Sequence, residues 1–88
     1  MKIEHIIKRD FTTRVYDLDK IIDAIEKAMG AVGVGDKQNA EDIALLVNQK
    51  LLERKKTEPE YIPTIEQVQD TVETQLMESQ FPEVAKAY

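Results

Sequence analysis

The sequence predicts an α+β domain, a four-helix bundle covered by a small β-sheet of two or three strands. Strand-forming residues gather before residue 17, where Ile3, Ile6, Ile7, Val15 and Tyr16 stand. Beyond that point, apolar residues recur at helical spacing in runs broken by glycine, proline or charge. A chain of 88 residues makes one small domain with a thin core.

Two short strands are expected near 3–8 and 13–16. Arg9-Asp10-Phe11-Thr12-Thr13 turns between them, an atypical hairpin turn because it holds neither Gly nor Asn. The first helix follows from Leu18, Ile21, Ile22, Ile25, Ala28, Met29 and Val32. Asp17 suits its N-cap, since a carboxylate accepts from the free amides of a first turn. Gly30 and Gly33 are expected to end it, with Gly33-Val34-Gly35-Asp36 as a loop. Asp36 then caps a second helix with the stripe Ala40, Ile43, Ala44, Val47 and Leu51. The charged run 53–60 reads as a solvated connector, and Tyr61-Ile62 is short but able to add a third strand to the sheet. Thr64-Ile65-Glu66-Gln67 has the pattern of a capping box, with Ile65, Val68, Val72 and Leu76 on the buried face. Pro82 suits the first turn of a short fourth helix carrying Val84, Ala85 and Tyr88, inside which the chain ends.

Composition removes several functions. The chain has no cysteine, which excludes a disulfide framework, a zinc ribbon, a thiyl-radical site and a cysteine nucleophile within it. The single histidine, His5, cannot build a metal cluster and reads as an ordinary half-exposed strand residue. Twelve basic against 17 acidic residues leave a net charge of −5, against a general nucleic-acid binder. No run approaches the roughly 20 apolar residues of a membrane span. The N-terminal residues lack a secretory signal, so a cytoplasmic location away from membranes is expected. No Gly-x-x-x-x-Gly-Lys loop is present, as a catalytic ATPase of that type requires.

The informative segment is Lys8-Arg9-Asp10 followed by Tyr16-Asp17-Leu18-Asp19-Lys20-Ile21. A hairpin brings Lys8 and Arg9 at a strand end toward Lys20 in the first helical turn, whose free amides also favour anions. Three such cations suit a polyphosphate. Tyr16 and Ile21 can flank a flat base, and Asp17 can accept from its amino group. Spacing alone favours a plainer reading, a basic strand end and an Asp cap on a solvated helix.

Lys8-Arg9-Asp10 with Asp17-Leu18-Asp19-Lys20-Ile21 resembles the opening of ATP-cone domains. Pro63-Thr64-Ile65-Glu66-Gln67-Val68-Gln69-Asp70 is similar to that family's third-helix start. Glu73-Thr74-Gln75-Leu76-Met77 and Val84-Ala85-Lys86-Ala87-Tyr88 are similar to its end, in the version of anaerobic, glycyl-radical ribonucleoside-triphosphate reductases. The resemblance covers nearly the whole chain in order. It implies a single cone over residues 1–88, an N-terminal piece of a larger reductase and not a catalytic unit itself. Its effector would be ATP or dATP with magnesium, ATP activating and dATP inhibiting. Its partners would be the rest of the reductase chain and further copies in an oligomer.

Residue by residue, the resemblance implies phosphate contacts from Lys8, Arg9, Lys20, Thr64 and Gln69, and adenine contacts from Ile6, Tyr16, Asp17 and Ile21. Thr64 is equally well explained as a helix cap, Gln69 as an exposed polar residue, and Tyr88 as core. Phe11 stands where the family usually has Gly, so the turn over the nucleotide is open to a different shape. The chain ends before the basic residues that usually follow the Ala-Tyr. Two other classes remain as alternatives: a nucleotide-sensing repressor, which would carry a four-cysteine zinc ribbon ahead of the cone, and a helical interaction module without ligand.

Overall fold

The computed structural model describes residues 2–88. Its order is β1 (His5–Ile7), β2 (Thr13–Val15), α1 (Leu18–Val32), α2 (Lys37–Thr57), α3 (Ile65–Glu78) and α4 (Val84–Ala87). The two strands form an antiparallel hairpin pairing His5 with Val15, Ile6 with Arg14 and Ile7 with Thr13. The α+β bundle under a small sheet is the architecture expected.

The hairpin closes through the turn Lys8–Phe11, in which the Phe11 amide donates to the Lys8 carbonyl at 2.9 Å. Phe11 then takes a left-handed backbone, φ 68. A type I turn followed by a left-handed residue is a standard three-residue hairpin loop, normally with glycine at the last place. Phe11 takes the left-handed place that glycine usually fills in such a loop. Asp10 braces it, accepting from the Thr12 hydroxyl at 2.6 Å and the Thr12 amide at 3.1 Å. These bonds hold the Asp10 carboxyl below its ordinary value.

Helix α1 begins at Asp17, whose carboxylate accepts from the Asp19 amide at 3.0 Å. It buries Ile21, Ile25, Ala28 and Met29. Gly30 does not end it. The helix continues to Val32 and stops at Gly33, left-handed at φ 82, where the Met29 carbonyl takes two amides.

Helix α2 starts in an Asp36–Asn39 capping box. It runs through most of the segment expected as a connector. Leu51 is buried and Leu52 half-buried, which anchors this turn, while Arg54 bonds Glu58 one turn on at 2.7 Å. Arg54, Lys55 and Lys56 also suit the negative helix end. Pro59 then restricts the residue before it and prevents continuation.

Tyr61-Ile62 forms no third strand. The Ile7 amide donates to the Pro63 carbonyl at 2.9 Å and Ile7 bridges Thr64, a single parallel rung. Pro63 has no amide to donate and Thr64 is already a helix cap, so no second rung forms. Pro82 lies in the turn before α4 instead of in its first turn.

The core joins Ile6 of the hairpin to the inner faces of the four helices. Ile25, Met29, Val47, Val72, Leu76 and Val84 are its largest fully enclosed aliphatic residues. Helix α4 packs on α1 and α3, which places Tyr88 beside the hairpin end of the bundle.

Candidate functional site

Between the hairpin, the start of α1 and the start of α3 lies a cavity of about 160 Å³. The hairpin contributes Ile6, Arg14 and Tyr16. Helix α1 contributes Lys20, Ile21 and Ala24, with its cap Asp17, and α3 contributes Ile65, Val68 and Gln69. Val15 and Tyr88 complete the wall. Pockets that enclose a drug-sized ligand run to about 300–1,000 Å³. A volume of this size has room for about one ring system, with anything attached to it left at the rim.

The walls divide by polarity. Ile6, Ile21 and Val68 are buried and form an apolar slot. Tyr16 offers its ring, because its hydroxyl is already committed, donating to Asn48 Oδ1 of α2 at 3.0 Å. Burial pushes the Tyr16 phenol up to about 12. Asp17 spends Oδ1 on the Asp19 amide, and its second oxygen is able to accept from an amino group. Lys20, third residue of α1, stands at the same mouth, at the positive end of the helix.

Of the residues the sequence singles out, Ile6, Tyr16, Asp17, Lys20, Ile21 and Gln69 line this cavity. Lys8, Arg9 and Thr64 do not line the cavity. Lys8 and Arg9 sit in the hairpin loop outside it, exposed. Arg9 reaches the rim indirectly. Its Nε donates to Glu66 Oε1 at 3.0 Å, and its Nη2 lies 3.5 Å from Gln69 Oε1, a marginal bond. The Arg9–Glu66 pair is exposed on both sides, 71% and 52%, and such pairs are worth about 0–1 kcal/mol. A phosphate offered to Arg9 therefore displaces little. Thr64 is an N-cap, its Oγ1 accepting from the Gln67 amide at 3.1 Å while Gln67 Oε1 accepts from the Thr64 amide.

Sequence reasoning missed Arg14 as a wall residue. Strand periodicity would have found it, because the hairpin register sets Arg14 opposite Ile6. Ala24 lies three residues after Ile21 on the same face of α1 and was equally legible. Tyr88, read as core, is half-buried and serves both the core and the cavity wall. Burial raises its phenol, with Glu73 adding to the effect.

Three matches bear on this arrangement. The family model described as the ATP cone domain matches residues 4–88. The chain is 37% identical over 83 residues to an anaerobic ribonucleoside-triphosphate reductase of Haemophilus influenzae, covering 94% of this chain and 11% of that protein. It is 36% identical over 91 aligned positions to a vitamin B12-dependent ribonucleoside-diphosphate reductase of Thermoplasma acidophilum, covering 98% of this chain and again 11% of that protein. The chain spans about one tenth of the length of these curated relatives.

Proposed function

The chain belongs to the ATP cone domain family, and on that premise we propose that it binds ATP and dATP as allosteric effectors of a ribonucleotide reductase. The observation that carries this is the ring-sized apolar cavity with Asp17 at its edge and Lys20 at its mouth. The base enters the slot between Ile6, Tyr16 and Ile21, and its amino group donates to Asp17. The triphosphate extends along the rim toward Lys20, Lys8 and Arg9, with Gln69 and Thr64 beside it. Magnesium arrives with the nucleotide, held by the phosphates that carry most of its charge.

In this reading the chain is the N-terminal cone of a larger cytoplasmic reductase, of the anaerobic kind that its C-terminal motifs resemble. ATP favours the active state and dATP the inactive one, read out as a change in oligomer. A switch requires different free energies of binding to the two states. The ligands differ by one 2′-hydroxyl, and a lost hydrogen bond in an enclosed site is worth about 1–3 kcal/mol.

Calorimetry with ATP and dATP, magnesium present, tests the reading. Both are expected to bind. Lys8→Ala and Lys20→Ala should each weaken binding by about 1–3 kcal/mol, the range for bonds to charged groups. Lys56→Ala, near the end of α2, should change nothing. Absence of binding by the parent chain at millimolar nucleotide overturns the reading. Equal binding by all four proteins would leave the nucleotide and overturn the phosphate placement.

A further inference from the structure

Arg14 stands on β2 directly opposite Ile6 of β1. Facing residues of an antiparallel pair project from the same side of a sheet. Ile6 is 5% exposed and forms part of the cavity wall. The register therefore sets Arg14 on the same face of the sheet as Ile6, and Arg14 is among the residues lining the cavity.

The chain has three arginines. Arg9 is paired with Glu66 at 3.0 Å and Arg54 with Glu58 at 2.7 Å. Arg14 makes no ion pair among the described residues. Its guanidinium is thus uncommitted, on a residue lining a cavity to which Ile21 and Ala24 of α1 and Val68 of α3 bring an aliphatic wall. A guanidinium is planar and weakly hydrated, and it stacks on aromatic faces in a way an ammonium does not.

We propose that Arg14 is a base-binding residue whose guanidinium stacks on the ring seated in the cavity, opposite the aliphatic wall. The proposal rests on the nucleotide reading and names the group that covers the base. Position favours the base over the phosphates. Arg14 shares a rung with Ile6 inside the hairpin, whereas Lys8 and Arg9 lie in the loop beyond it. The cavity volume also admits the ring and little else. Stacking tolerates any base, so the choice of adenine stays with the Asp17 carboxylate.

Three substitutions separate plane from charge. Arg14→Lys keeps the charge and loses the plane. Arg14→Trp keeps a plane and loses the charge, while Arg14→Ala loses both. Arg14 is exposed on a two-stranded edge, so circular dichroism and melting without ligand should match the parent. With ATP, the Ala and Lys variants should bind about tenfold more weakly, the size of one base stack, and the Trp variant within about threefold of the parent. The chain has no tryptophan of its own, so emission of the Arg14→Trp protein reports on that position alone. ATP should quench it. Retention by Lys with loss by Trp would make Arg14 a phosphate ligand and overturn the proposal. Equal binding by all variants, loss in all three, or unquenched emission at saturating ATP would overturn it too. A parent chain that does not bind ATP removes the nucleotide reading and this assignment together.

Discussion

At Phe11 a side chain occupies backbone geometry that suits glycine. Its φ of 68 lies in the left-handed region, which costs a non-glycine residue about 1–2 kcal/mol. The ring recovers little of this, being 88% exposed. Phe11→Gly removes the strain but gives the unfolded chain more freedom, an opposing term of about 0.5–1 kcal/mol. The net expectation is a gain of about 0.5 kcal/mol, read as a higher urea midpoint at unchanged slope. A lower midpoint would show that the ring contributes contacts that outweigh its strain. Neither the strain nor the exposure is visible at residue level in the sequence. What is visible is the turn, since Lys8 to Thr12 is a polar break between two β-rich runs.

Among the elements, α3 depends on its start. The Thr64–Gln67 box satisfies the Gln67 amide and the Thr64 amide reciprocally. Thr64 also carries the single rung to Ile7, so the same residue fixes where α3 meets the hairpin. Thr64→Ala should cost about 1 kcal/mol, within a range of roughly 0.5–2 for lost caps, measured by chemical denaturation. Loss of the cap should be felt at the cavity as well, because Ile65, Val68 and Gln69 lie in the next turns. A Thr64→Ala protein as stable as the parent would mean that water caps the helix equally well. Helix α2 shows the opposite case. Its charged last turns read as a loop, yet Leu51 and Leu52 hold that end against the bundle while the charges face solvent. Charge density by itself does not distinguish a solvated loop from the outer face of an anchored helix.

At the scale of the molecule, one small core supports both the bundle and the cavity. Leu76 is fully enclosed, in α3 between the faces of its neighbours. Leu76→Ala should cost about 2–5 kcal/mol by lost burial and the void left behind. In a domain whose whole stability is on the order of 5–15 kcal/mol, that is a large share, and the thermal midpoint should fall by several degrees or more. Saturating nucleotide should restore part of the loss by mass action, if the variant keeps its site. A loss under about 1 kcal/mol would show that the bundle collapses around the missing side chain. By itself the sequence determined the helix starts at Asp17, Asp36 and Thr64, because a cap bond closes within two or three residues and its chemistry is local. It also determined the inner faces, because helical spacing alone selects them. Tertiary structure decided what joins distant segments: the single rung between Ile7 and Thr64, and the Arg9–Glu66 pair across 57 positions. Each depends on hairpin register and on how the hairpin lies against α3, and those are set by burying Ile6 in the common core, a constraint no short window of sequence contains.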